Sequence, residues 1–342
     1  MTNSKTITDA PVHEAPGIFN SKTRPQSADD EISNFEKVNY LEVTRHQHDQ
    51  RVDNFLLNRL KGLPKPHIYK MIRSDEIRVN NKRCKAHDRL HREDVVRIAP
   101  VKLATRDKPI ISTEFAKSLL ARVVYEDDGL IVLNKPSGIA VHGGSGLDFG
   151  VIEAMREVTN KKYLELIHRI DKDTSGLLMI SKKRSTLKSL QQHLIDRTIQ
   201  KHYLCLIKGQ PAMNEQRIDA PLLRYTVASG ERRVKVDPQD SQAKESQTDI
   251  VVHGRFMVAS QPVSLVEAKP LTGRTHQIRV HLAHIGHAIL GDNKYNVHDK
   301  SGVHRLCLHA WRLDIPGYEP IIAPLPEDIA ALLPADVELP KV

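Results

Sequence analysis

From Val123 onward the chain is written in short apolar runs of strand length, and this feature restricts the fold more than any other. Val123-Val124-Tyr125 and Leu130-Ile131-Val132-Leu133 flank Asp127-Asp128-Gly129, and an Asp-Gly step between apolar runs is a hairpin signature. Asn134-Lys135-Pro136-Ser137-Gly138 then leads into a further extended run. Similar runs occur at Leu177 to Ile180, Tyr203 to Ile207, Ile250 to Val252, Val263 to Ala268 and Leu306 to Leu308. Helical patterns fall between them, around Val151 to Glu157, Leu187 to Leu194 and Ile278 to Ala283. Many strands with scattered helices predict an α+β domain: a mixed, largely antiparallel sheet with peripheral helices, over residues 123–342.

Charge is concentrated ahead of that domain. Residues 51–100 hold thirteen Lys or Arg against six Asp or Glu, which is seven of the nine net positive charges of the 342-residue chain. Such an excess points to an anionic partner. Within it, Val52, Phe55, Leu56 and Leu60 mark one buried helical face, and Ile68, Met71 and Ile72 mark a second after the turn at Gly62 to Pro66. Lys65, Lys70 and Arg73 fall largely off the second stripe. Ile77-Arg78-Val79-Asn80 alternates like a strand entering an Asn-Asn turn, and Val95 to Ile98 closes a small α/β module over residues 48–102. Residues 1–35, with Pro11, Pro16 and Pro25 and few large apolar side chains, read as a flexible tail. Residues 103–122, which contain Lys108-Pro109, read as a linker.

Cys84, Cys205 and Cys307 are far apart with no C-x-x-C pairing, which argues against a disulfide scaffold and a zinc ribbon. No uninterrupted apolar run has the length of a membrane-spanning helix, and the first twenty residues lack the basic-then-apolar profile of a signal peptide. A soluble cytoplasmic protein is expected.

Two segments are dense in reactive side chains. His168-Arg169-Ile170-Asp171-Lys172-Asp173-Thr174-Ser175-Gly176 precedes a strand-like run. Leu271-Thr272-Gly273-Arg274-Thr275-His276-Gln277-Ile278-Arg279-Val280-His281-Leu282 enters a helical one. Arg274 and Arg279 straddle a helix start, where the helix dipole disfavours cations, so they are expected to meet an anion. Asp171-Lys172-Asp173 also has the D-x-D form of aspartyl phosphoryl transfer, but no convincing downstream acidic pair accompanies it. His281, His284 and His287 drift round a helix without a completing carboxylate, so no metal site is expected.

These segments closely resemble those of the RluA-type pseudouridine synthases, which isomerise uridine within RNA, with Ile170 in place of the usual leucine. Lys201-His202-Tyr203-Leu204 resembles the family's K-x-Y segment, and Leu306-Cys307-Leu308-His309-Ala310 its last core strand. Residues 51–98 resemble an S4 domain, a small RNA-binding module that often precedes such a domain. One departure is Ala288, where the family usually has proline.

The resemblance implies Asp171 as the catalytic carboxylate, Tyr203 against the uracil and Arg279 as the partner of Asp171. His168, Arg169, Thr174, Arg274, Thr275 and Leu308 are implied to hold substrate, and Lys65, Lys70, Arg73 and Arg78 of the S4 module to hold RNA. Leu222-Leu223 followed by Ser229-Gly230-Glu231-Arg232 points within the family to members acting on large-subunit (23S) rRNA, free or in an assembly intermediate. A monomer with no cofactor and no membrane partner is expected. The alternative is an S4-type ribosome assembly factor that has lost catalysis. The chemistry fits the residues, because breaking N1–C1′ and forming C5–C1′ is an isomerisation that needs a carboxylate at the sugar. A nearby guanidinium favours the charged form of a carboxylate, and a tyrosine offers a flat face to a displaced base.

Overall fold

The computed structural model describes residues 25–340, apart from 61, 103–110, 145–148, 162 and 229. The chain forms two compact units, Met1–Lys108 and Pro109–Val342.

In the first unit, β1 (Gln26–Ser27), β2 (Asn39–Glu42), α1 (Val52–Arg59), α2 (Lys65–Arg73), β3 (Ile77–Val79), β4 (Lys82–Arg83) and β5 (Val95–Ile98) follow in order. The strands form one sheet, β1-β2-β5-β3-β4. The helices are placed by their stripes: Phe55, Leu56, Ile68 and Met71 are buried with Leu41, Ile77, Val96 and Ile98. Asn80 and Asn81 both take positive φ, 48° and 62°, as the two-residue turn between β3 and β4 requires. A buried carboxylate ties the helices together. Asp53 accepts hydrogen bonds from Arg51 Nη2 at 2.6 Å and from the Tyr69 hydroxyl of α2 at 2.7 Å, which hold its carboxyl down to about 2 against the opposing effect of burial.

The expected tail needs correction at its C-terminal end; residues 1–24 lie outside the described residues. Gln26 and Ser27 pair in parallel with Leu41 and Glu42, and Ala28 is fully buried. One small side chain and two backbone pairings leave no hydrophobic run to read. The sheet therefore also recruits Asn39–Glu42, ahead of residue 48.

The second unit contains α3 (Thr113–Leu120), β6 (Val123–Glu126), β7 (Leu130–Lys135), α4 (Val151–Thr159), β8 (Glu165–Leu166), β9 (Ser175–Ser181), α5 (Arg184–Ile195), β10 (Gln200–Lys208) and β11 (Glu215–Asp219). It continues with β12 (Leu222–Thr226), β13 (Arg232–Val236), β14 (Gln247–Val258), β15 (Gln261–Pro270), α6 (Gln277–His284), β16 (Leu308–Asp314), β17 (Ile321–Ile322) and α7 (Glu327–Ala330). Among the described residues, ten strands form one sheet whose path is β11-β14-β15-β10-β16-β9-β7-β6, with β17 on β16 and β8 on β9. Within this sheet, among the described residues, only β16 and β9 pair in parallel, so the mixed, largely antiparallel α+β reading holds. The central strands read as continuous apolar runs because both faces are covered, as for Ser175–Ser181, where every residue is buried.

Three local expectations change. Thr113–Leu120, within the expected linker, is a helix capped by Ser112, whose hydroxyl accepts the Phe115 amide, and it buries Ala116 and Leu119. No strand follows Gly138 among the described residues; instead the Ala140 and Val141 carbonyls accept the first amides of α4. The last core strand starts at Leu308 rather than Leu306.

Candidate active site

The sheet brings the candidate residues together from distant points of the sequence. Asp171 lies in the connection from β8 to β9, Tyr203 on β10, Arg279 in the first turn of α6 and Leu308 at the start of β16. With His168, Arg169, Thr174, Arg274 and Thr275 they line one cleft of about 650 Å³. Tyr203 sits between two alanines, Ala268 on β15 and Ala310 on β16, which leave room for its ring. A β-bulge between His202 and Tyr203 re-aims the side chain there, a common use of bulges beside active sites.

Arg279 organises the charge. It is 2% exposed, and its Nε and Nη2 donate to Asp292 Oδ2 and Oδ1 at 2.8 and 2.7 Å, a bidentate clamp on a fully buried carboxylate. Its remaining nitrogen, Nη1, faces Asp171 Oδ2 at 3.7 Å. The guanidinium lies 5.3 Å from the Tyr295 ring centroid. His276 Nε2 faces the same Asp171 oxygen at 3.9 Å, and its Nδ1 lies 2.8 Å from the Tyr295 hydroxyl. The Tyr295 oxygen also accepts the Val234 amide at 3.2 Å, so its hydroxyl links β13 to the His276 imidazole. Burial lowers the His276 pKa below its usual value, although Asp171 opposes the shift, so neutral imidazole is favoured. Burial, and then the charge of Asp171, push the Tyr203 hydroxyl well above its usual range. Tyr203 is therefore a neutral phenol beside the carboxylate.

The loop bearing Asp171 is held from below. Lys135, at the end of β7, is fully buried, and its Nζ donates to the carbonyls of Pro136, Ile139 and Lys172 at 2.8, 2.9 and 3.0 Å. Burial pushes this ammonium down to about 7, against the pull of Asp173 and Asp171. Gly176 has φ 108°, and a Cβ there would stand 2.1 Å from the Ala310 carbonyl oxygen, so the strand leaving the loop approaches β16 only as glycine.

One expected substrate contact has another duty, and a second is buried. His168 Nε2 accepts the Met179 amide at 3.1 Å, and burial pushes its imidazole down to about 3, so it is a neutral strut and not a cation for phosphate. Thr174 is 2% exposed. Arg169 is exposed and pairs with no carboxylate among the described residues. In the first unit Lys65, Lys70 and Arg73 are exposed, whereas Arg78 is engaged by Asp75 at 2.6 Å. Sequence reasoning gave no role to Lys135, Lys201, Arg224, His276, Asp292 or Tyr295. Of these, Lys201 lines the cleft with its ammonium lowered by burial and forms no ion pair among the described residues. His281 is turned inward, to Thr248 Oγ1 and the Ala220 carbonyl, while His287 Nδ1 donates to the Lys208 carbonyl.

A carboxylate faced by an immobilised guanidinium, with a neutral tyrosine and unpaired cations lining the same cleft, is an arrangement suited to a polyanionic substrate. Residues 129–284 match the RNA pseudouridylate synthase family and residues 50–96 the S4 domain. The chain is 44% identical over 299 residues to "Ribosomal large subunit pseudouridine synthase C" of Pasteurella multocida, covering 84% of this chain and 89% of that one. It is also 44% identical over 284 residues to the protein of the same name in Escherichia coli K12, covering 80% and 87%. The solved structure of Human RNA Pseudouridylate Synthase Domain Containing 1 superposes with a TM-score of 0.52 at 28% identity, covering 60% of this chain and 82% of its own. The chain belongs to the RNA pseudouridine synthase family.

Proposed function

We propose that this enzyme isomerises particular uridines to pseudouridine in large-subunit ribosomal RNA, in the cytoplasm, on free 23S rRNA or an assembling particle. The observation that carries the reading is the Asp171–Arg279 pair at 3.7 Å, with the guanidinium locked by Asp292. The relatives named for large-subunit pseudouridine synthesis support the choice of RNA.

In the reaction the N1–C1′ bond breaks, the base turns, C5–C1′ forms, and a proton leaves C5 while N1 gains one. Asp171 acts at the ribose, either on C1′ or on the 2′ proton. Arg279 keeps a positive charge beside that carboxylate, and Tyr203 stacks on the uracil with its hydroxyl at hand for the C5 proton. The uridine must leave its stack, at a cost of a few kcal/mol, and phosphate contacts from Arg169, Arg274 and the exposed Lys65, Lys70 and Arg73 offset it.

The test uses purified protein and unmodified 23S rRNA transcript, with pseudouridine located by carbodiimide-dependent reverse-transcription stops. Wild type is expected to create stops without added cofactor, while Asp171→Asn binds the transcript and creates none. Wild-type turnover by Asp171→Asn would overturn the assignment.

A further inference from the structure

A second cavity, of about 300 Å³, lies beside the catalytic cleft and shares Arg224, Arg274 and Thr275 with it. Its floor is apolar: Leu222 and Val234, from the two strands of the β12–β13 hairpin, are 3% and 4% exposed and pack on Val280 of α6. Its rim is basic and polar, with Lys244 and Gln242 joining Arg224 and Arg274. Arg224 donates to the Thr275 hydroxyl and Arg274 to the Glu245 carbonyl. Neither guanidinium, nor Lys244, has a carboxylate partner among the described residues. Nearby cations are neutralised, Arg217 by Asp249, Arg233 by Glu231 and Lys235 by Asp237. Three unneutralised cations around an apolar floor suit a ligand that combines an anion with a flat ring. A nucleotide has that chemistry.

We infer that this cavity is a subsite for a nucleotide flanking the target uridine. Its base lies over Leu222 and Val234, within reach of the Gln242 amide, and its phosphate is held by Arg224, Lys244 and Arg274. The inference rests on the uridine-isomerase reading. The shared wall makes the two cavities consecutive stations on one strand. The floor is also connected to the chemistry: the Val234 amide donates to the Tyr295 hydroxyl, which bonds His276, and both His276 and Arg279 face Asp171. Recognition of the flanking nucleotide therefore bears on the placement of the groups around the carboxylate.

The experiment uses the full chain and an RNA fragment spanning a uridine that wild type converts, with each flanking nucleotide replaced in turn by an abasic one. Lys244→Gln and Gln242→Ala are the variants, because these residues line the second cavity and not the catalytic cleft. Wild type is expected to lose about tenfold in kcat/KM at one flanking position, the worth of one base hydrogen bond with its apolar contact. Gln242→Ala starts lower on intact RNA and loses little more at that same position, because both changes remove the same base contact, whereas Lys244→Gln, which acts on the phosphate, starts lower and still loses as much as wild type there. The salt dependence of RNA binding is also expected to weaken in Lys244→Gln by about one phosphate contact. An abasic profile of Gln242→Ala identical to that of wild type, or an unchanged salt dependence in Lys244→Gln, would overturn the subsite and leave the functional reading intact. A wild type that converts no uridine in rRNA would overturn that reading itself.

Discussion

Asp292→Asn tests whether the buried clamp on Arg279 organises the site. The carboxylate accepts four hydrogen bonds: Oδ2 from Arg279 Nε, and Oδ1 from Arg279 Nη2 and the amides of Lys294 and Tyr295. An asparagine that keeps its carbonyl at the Oδ1 position retains three of them but turns an amide N–H toward Arg279 Nε–H. It also removes the charge that compensates a guanidinium 2% exposed to solvent. Breaking one partner of a buried ion pair costs about 3–5 kcal/mol, against a total stability of roughly 5–15 kcal/mol, so the fold is expected to survive in weakened form. For a unit of the size of Pro109–Val342, that corresponds to a fall in Tm of about 6–20 °C. Arg279, released from Asp292, is expected to close its 3.7 Å gap to Asp171 and occupy the carboxylate the substrate needs. Turnover is read as tritium released from RNA labelled at C5 of uridine, since that proton must leave, and stability by thermal melting followed by circular dichroism. The expected outcome is a lowered Tm together with kcat reduced about tenfold or more, the equivalent of one charge-assisted contact. A variant that melts within about 1 °C of wild type and turns over normally would refute the clamp, because a lost buried pair has to move both readouts.

Lys135→Met removes a fully buried donor to three backbone carbonyls and is expected to cost about 3 kcal/mol or more, measured by urea unfolding. Because burial lowers the native ammonium to about 7 from its usual 10.5, the unfolded chain binds more protons between those values. Wild-type stability therefore gains on that of Lys135→Met as pH rises from 7 toward 9, by on the order of 1 kcal/mol per unit; a gap that narrows over this range would contradict the buried ammonium. Tyr203→Phe keeps the ring between Ala268 and Ala310 and removes only the hydroxyl. RNA affinity is expected to hold while single-turnover isomerisation slows by about 10²–10⁴, the usual worth of a general acid–base group, and an unchanged rate would exclude the phenol from proton transfer.

The residues that line the candidate site were legible where reactive groups sit in contiguous segments. Asp171 and Arg279 stand in two dense clusters and Tyr203 in a third short one, so each could be named from its neighbours in sequence. What held them was not legible, because it is made by contacts between segments. Lys135 acts on the Asp171 loop from a strand that ends 36 residues earlier, by donating to backbone carbonyls that carry no sequence signal. His168 was expected to hold substrate, but its Nε2 accepts the Met179 amide and burial keeps it neutral. The β12–β13 hairpin escaped notice for a different reason. Its strands bury few side chains, with patterns too exposed to show a two-residue period, so only Leu222 and Val234 point inward. Helix α3 did carry an apolar stripe in Phe115, Ala116 and Leu119, but the Lys108-Pro109 step drew the eye to a linker.

The helix-dipole argument was the part of the sequence reading that reached furthest into the site, and the structure extends it. Cations at a helix start are disfavoured and need an anion. Arg279, in the first turn of α6, has two: Asp292 holds it by both remaining nitrogens, and Asp171 stands across from the third. A guanidinium paired only with Asp171 would be free to neutralise it completely and follow it as substrate enters. Shared with Asp292, it is fixed at a distance too long for a hydrogen bond, so the charge of Asp171 is balanced without its oxygen being covered. That separation leaves the Asp171 oxygen open to the cleft, as the proposed reaction at the ribose requires, and it depends on Asp292, a residue 121 positions from the one it serves.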